Sequence, residues 1–157
     1  MQKAQIQEFT SKITRSNRTG LTVVTYEILF AYLKDARIAL EEARFEDYKK
    51  ALRQSQKCIS ELIGTLNFVY ELSAELYQIY AYGKELLAKA IYKRREEEIN
   101  ECENLLRMLY ISFLKVAETD TSAPLMQNTE QVIAGYTYGR NDVNSSSNAN
   151  PARGFFV

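Results

Sequence analysis

Histidine is absent from the sequence. Its absence removes the usual general base, the Ser-His and Cys-His pairs and most zinc sites. It also removes the Glu-x-x-His ligands of carboxylate-bridged di-iron bundles and the phosphoacceptor of a histidine phosphotransfer bundle. No Gly-x-Gly-x-x-Gly or Gly-x-x-x-x-Gly-Lys loop is present to cradle a phosphate. Two prolines and six glycines in 157 residues argue for long helices and against a turn-rich β fold. There is no excess of one charge: 20 Lys+Arg balance 20 Asp+Glu, whereas a nucleic-acid binder normally carries a net basic surface. Lys93-Arg94-Arg95 is answered at once by Glu96-Glu97-Glu98 and reads as a solvated turn. No apolar run approaches the roughly 18–20 residues of a membrane span. The first residues lack the apolar core of a signal peptide, so the expected location is cytoplasmic. Only two cysteines occur. Cys58 and Cys102 each share an apolar helical face with Ile or Leu neighbours, and are expected buried and reduced rather than paired or metal-bound. The remaining catalytic candidates, Glu41-Glu42 and Glu96-Glu97-Glu98, are sequential carboxylates that point in different directions on a helix. We therefore expect no enzyme, no cofactor and no metal.

What the chain does have is helical periodicity with too much apolar surface. The stretch from Val23 to Ala36 is the extreme case. At about 100° per residue, Leu21, Val24, Ile28, Tyr32, Ala36 and Ala39 form one stripe. Val23, Tyr26, Phe30 and Leu33 fall elsewhere on the cylinder, and only a wedge around Glu27 and Lys34 is polar. A surface helix normally has one apolar stripe. A chain of one-domain length cannot bury such a helix centrally, so this one requires a partner.

The periodicity predicts a short helix over about residues 3–14, marked by Ile6, Phe9 and Ile13, and a long one over about 20–42. Between them, Ser16-Asn17-Arg18-Thr19-Gly20 supplies capping residues. A third helix begins near Asp47. Its spacing continues through Ile59, Leu62, Leu66, Val69, Ser73, Leu76 and Tyr80 without a break. One helix over 46–93 would measure about 70 Å, long for so small a domain, and Asn67-Phe68-Val69-Tyr70 is poor in helix formers. A turn at about 67–71 is therefore predicted, then helices over about 72–93 and 95–117. Val116 is expected to face inward on the last. The expected fold is all-α: an antiparallel four-helix bundle with a short extra N-terminal helix. The bundle is expected over 1–118, and a mostly disordered Asn/Ser-rich tail over 119–157. Within the tail, Tyr136-Thr137-Tyr138, Phe155 and Phe156 are either short docking contacts or incidental.

The aromatic content is 11 Tyr and 7 Phe, and tyrosine suits surfaces that are alternately covered and wet. On the helix at 72–93, Leu72, Leu76, Ile79, Tyr80, Gly83, Leu86, Leu87 and Ala90 form the expected core stripe, and Ala74, Tyr77, Ala81, Ala88 and Tyr92 form a second line about half a turn away. Small residues flanked by tyrosines make a shallow groove for a partner helix, and exposed apolar patches of this extent indicate binding. Scattered surface residues beside a wide core are the competing reading.

Three segments carry a resemblance. Thr25-Tyr26-Glu27-Ile28-Leu29-Phe30 is similar to a Leu-Tyr-Asp/Glu-Gly-Ala-Leu segment. Residues Gln54 to Leu62 loosely match Ala-x-x-Ile-x-x-Leu. Glu71-Leu72-Ser73-Ala74-Glu75-Leu76-Tyr77-Gln78-Ile79-Tyr80-Ala81-Tyr82 matches Glu-Ile-Ala-x-x-Leu-x-x-Leu-Tyr-x-Tyr, the most specific of the three. From about Glu8 to Val116 the chain resembles the flagellar secretion chaperone family, FliS. It departs by lacking a Gly-Gly before Glu71, by Ile28 and Leu29 at small-residue positions, and by Phe113 where Trp is common. The resemblance implies a cytoplasmic export chaperone. It would cover the C-terminal helical segment of flagellin, prevent premature polymerisation and deliver flagellin to the export gate. The expected partner-binding residues are Ile6, Phe9, Ile13, Tyr26, Phe30, Ala74, Tyr77, Ala81, Ala88 and Tyr92. The leading helix is expected to occupy part of the groove when no client is bound. The alternative is a bundle whose extra apolar surface makes a weak homodimer with no flagellin client.

Overall fold

The computed structural model describes residues 1–126. Five helices follow one another: α1 (Lys3–Arg15), α2 (Arg18–Glu41), α3 (Phe45–Gly64), α4 (Glu71–Lys93) and α5 (Glu97–Thr119). No strand occurs among the described residues. Helices α2 to α5 close a ring in which α2 meets α3, α3 meets α4, α4 meets α5, and α5 returns to α2, while α1 packs on α2. This is the expected antiparallel bundle with one extra leading helix. Of the tail expected over 119–157, residues 127–157, with Tyr136-Thr137-Tyr138, Phe155 and Phe156, lie outside the described residues; Thr119 ends α5, and Asp120 and Leu125 are hydrogen-bonded to the α1–α2 connection.

The helix limits have local causes. Asn17 caps α2, its side-chain oxygen accepting the Gly20 N–H at 2.8 Å, a stabilising N-cap arrangement. The break between α3 and α4 falls at residues 65–70, where the sequence runs out of helix formers. Ser73 fixes the start of α4 by donating to the Asn67 carbonyl at 2.7 Å. The turns at the other end of the bundle use left-handed residues that are not glycine, Ala43 (φ 54°) and Arg94 (φ 52°), a conformation worth roughly 1–2 kcal/mol of strain. Arg94 is offset by its guanidinium, which lies 4.3 Å from the Phe45 ring centroid.

The core is a column of large side chains. Tyr26, Leu29 and Leu33 of α2 meet Tyr48, Leu52, Ile59 and Leu62 of α3, Tyr80 and Leu87 of α4, and Ile99 and Leu106 of α5, all fully buried. Buried hydroxyls are satisfied. Tyr48 donates to the Ala90 carbonyl at 2.6 Å, and the Tyr26 and Tyr80 hydroxyls pair at 2.6 Å. Cys58 and Cys102 are buried free thiols, as expected. Burial pushes each to about 12, so neither is a reactive thiolate at neutral pH.

The α4–α5 turn holds the one buried carboxylate of the described residues. Glu98 Oε1 accepts Lys93 Nζ at 2.7 Å and Arg95 Nη2 at 3.3 Å, while Oε2 has no hydrogen-bond partner among the described residues. The Lys93 bond, above all, lowers the Glu98 carboxyl from 4.5 to about 2. A depressed carboxyl stabilises the fold above its unfolded pKa and loses that contribution as the pH falls through its folded pKa. Acid unfolding monitored by circular dichroism is therefore expected to include a Glu98 component between 4.5 and about 2. In Glu98→Gln that component should vanish; an unchanged pH profile would remove Glu98 from the acid response.

Candidate protein-binding surfaces

Two apolar surfaces lie outside the core, and the first is already covered. The outer face of α2 presents Val24, Ile28 and Ala31, and α1 lies along it with Phe9 buried among them and Met1 and Ile13 alongside. Two ion pairs fix the seat: the Met1 ammonium reaches Asp35 Oδ2 at 2.6 Å, and Lys12 Nζ reaches Glu27 Oε2 at 2.8 Å. That bond raises the Lys12 pKa, and the Glu8 carboxylate at 3.3 Å adds to it. The other oxygen of Glu27 accepts the Tyr110 hydroxyl of α5 at 3.3 Å. Ile6 remains half exposed on the free side of α1. It borders an open depression of about 440 Å³ between α2 and α3, lined also by Tyr32, Ile38 and Ala51 and rimmed by Asp35, Asp47 and Lys50. A 13-residue helix is marginal on its own in water. With one buried side chain of its own, α1 belongs to the least stable part of the fold.

The second surface is bare. Around the α3–α4 turn, Phe68, Val69, Tyr70 and Leu72 are 61%, 86%, 67% and 63% exposed. Tyr77 joins them, its ring edge-on to Phe68 at 6.0 Å. Along α4 beyond Tyr77, Ala88 and Tyr92 are exposed and Ala81 is half-buried. Lys84, between Tyr77 and Ala88, reaches across to Ser60 Oγ of α3 at 2.9 Å. The line therefore follows the α3 side of α4. On α5, Met108, Ile111 and Val116 are exposed.

The expected binding residues thus divide into two sets. Ile6, Phe9 and Ile13 belong to the α1 seat on α2. Ala74, Tyr77, Ala81, Ala88 and Tyr92 belong to α4, which stands diagonally across the ring from α2. Phe30 is half-buried on α2 against α5, edge-on to Tyr110 at 5.5 Å and beneath the Arg107 guanidinium at 4.4 Å. Tyr26 is not a surface residue. It is fully buried, packed on Phe30, Tyr80, Tyr110 and Phe113. Tyr26 and Leu33, off the Leu21–Ala39 stripe, face the bundle core; of that stripe, Val24 and Ile28 lie under α1 while Ala36 and Ala39 join the core. Leu72 and Val116, expected inside, are 63% and 53% exposed. They occupy the first turn of α4 and the last turn of α5, where the bundle ends and no fourth helix closes over them. In the sequence, Phe68, Val69 and Tyr70 read as poor helix formers. Three large apolar residues in a turn are themselves a signal of an exposed patch.

Neither surface has catalytic equipment. Among the described residues, no group of three His, Cys, Asp or Glu side chains is placed to hold a metal, and no helix is long and apolar enough to cross a membrane. Each surface has the chemistry to cover an apolar helix. Among curated protein sequences none matches the chain. The family model described as flagellar protein FliS matches residues 1–120, which take in α1 to α5 entire.

Proposed function

The chain belongs to the flagellar protein FliS family, a family of non-enzymatic flagellin export chaperones, and from this premise we propose that it binds the C-terminal helical segment of a flagellin in the cytoplasm. In this reading it keeps that segment from polymerising and hands it to the flagellar export gate. The observation that carries the proposal is the outer face of α2. Its residues Val24 and Ala31 pack with Phe9 of α1, and Ile28 packs both there and on the bundle core; α1 is a helix weak enough to be displaced by a client helix of similar pattern. The line Ala74, Tyr77, Ala81, Ala88 and Tyr92 on α4 offers a second stretch for the same client, and Phe68 and Leu72 extend it.

The direct test is flagellin polymerisation followed by light scattering. One equivalent of the chain is expected to stop filament growth; growth at the control rate would refute the proposal. Ala88→Arg tests the α4 stretch. Ala88 is exposed, so the substitution should leave the melting temperature within the small range of surface changes. It should weaken client binding by about tenfold, the factor equivalent to about 1.4 kcal/mol. Unchanged affinity would confine the client to α2.

A second reading has its own support. The exposed corner of Phe68, Val69, Tyr70 and Leu72 is the kind of patch through which two copies associate. A stable dimer that ignores flagellin would favour it.

A further inference from the structure

Helices α1 and α2 are joined by only two residues, Ser16 and Asn17, both extended, with ψ of 138° and −175°. They form the hinge on which α1 turns back along α2. The chain just past α5 is fastened to this hinge. The Leu125 N–H donates to the Ser16 carbonyl at 3.0 Å. Asn17 Nδ2 donates to the Asp120 and Ser122 carbonyls, each at 3.2 Å, while its oxygen caps α2. Thr19 Oγ1 donates to Asp120 Oδ2 at 2.6 Å. Asp120 Oδ1 holds the segment's own bend, accepting the Ser122 N–H at 3.0 Å and its hydroxyl at 2.6 Å. Inward from the hinge, Ser16 Oγ donates to the Lys12 carbonyl at 2.6 Å. Lys12 is the residue whose ammonium anchors α1 on Glu27. One hydrogen-bonded path therefore joins residues 120–125 to the anchor of α1. Pro124 stiffens the segment by fixing its own φ.

We infer that residues 120–125 are a strap that sets how readily α1 leaves α2. If α1 swings out about Ser16 and Asn17, the Leu125–Ser16 bond breaks and the Asn17 contacts are strained. A fastened strap therefore favours the closed α1. By linkage the effect is reciprocal, and an event that displaces α1 loosens the strap. The strap's role in client capture rests on the proposed function, whereas its hold on α1 does not.

The test is hydrogen exchange on the full chain. Asp120→Ala removes the Thr19 and Ser122 bonds, and Thr19→Val removes one of them without touching the segment. Each is expected to speed exchange of the α1 amides, by about tenfold for Asp120→Ala, the loss of one or two net hydrogen bonds. The α3 amides should be unchanged. Asp120→Asn, which keeps an acceptor, should recover part of the protection. Faster exchange confined to 120–125 and the first turn of α2, with α1 unaffected, would overturn the inference and reduce the segment to a cap on α2. Should Asp120→Ala fail to fold, Thr19→Val decides on the same criterion. Binding of a flagellin C-terminal peptide to the same variants separates the two proposals. Loosened α1 with unchanged affinity leaves the strap standing and refutes α2 as the client face.

Discussion

Tyr26→Ala is expected to destabilise the protein by about 3–5 kcal/mol, the range for removing a large aromatic from a packed core. Against a domain stability of about 5–15 kcal/mol, that brings the bundle close to unfolding. The side chain is fully buried and is the hub of an aromatic cluster. Phe30 lies 6.2 Å away, Tyr80 6.5 Å, Tyr110 6.0 Å and Phe113 5.8 Å, between ring centroids. It ties α2 to α4 and α5 through the Tyr80, Tyr110 and Phe113 rings. Tyr26→Phe separates the ring from its hydroxyl. It keeps the packing and leaves the Tyr80 hydroxyl without its 2.6 Å partner, a loss of about 1–3 kcal/mol. Urea unfolding followed by circular dichroism measures both. Client affinity of folded Tyr26→Phe should match the wild type, because the residue touches only the core. Weakened binding at unchanged stability would mean that Tyr26 reaches the client after all.

Deleting residues 1–15 should tighten client binding by about ten- to a hundredfold. When the competent state is populated only in a small fraction, apparent affinity falls by that fraction, and removing the competitor restores it. Here α1 is the competitor for the face formed by Val24, Ile28 and Ala31. The deletion also bares that face, so a milder variant is needed beside it. Phe9→Asp keeps the full chain while placing a charge at the one buried position of α1. It should produce a gain of the same sign. Calorimetric titration with a flagellin C-terminal peptide reads both. A large loss of affinity in either variant would mean that Ile6, Phe9 and Ile13 contact the client directly instead of guarding its site.

The helices and their limits were legible in the sequence because each rests on a local cause. Asn17 is a cap wherever it precedes a helical pattern, and Asn67-Phe68-Val69-Tyr70 interrupts helix propensity whatever surrounds it. The excess apolar surface of α2 was legible too, and the structure explains it: Tyr26, Leu33, Ala36 and Ala39 enter the bundle, and Val24, Ala31 and one side of Ile28 meet α1. Which residues do which was not legible. Periodicity gives the angle between Tyr26 and Val24 but no reference direction, and only tertiary packing supplies one. The same limit explains Leu72 and Val116. Their spacing continues the core stripe faithfully, but a stripe carries no mark of where the neighbouring helices stop. The strap at 120–125 leaves no periodic signal at all. Its partners Ser16, Asn17 and Thr19 lie a hundred positions away in sequence, and polar pairings over such distances have no signature in one sequence.

The central claim is that the surplus apolar surface serves a flagellin client. Its most direct test is calorimetric titration of the full chain with the C-terminal segment of the host's flagellin at several temperatures, with light scattering of the free protein alongside. The expected result is a monomer that binds one-to-one with a negative heat-capacity change, the mark of apolar burial. No binding, with a stable dimer in scattering, would contradict the claim and assign the exposed surface to self-association.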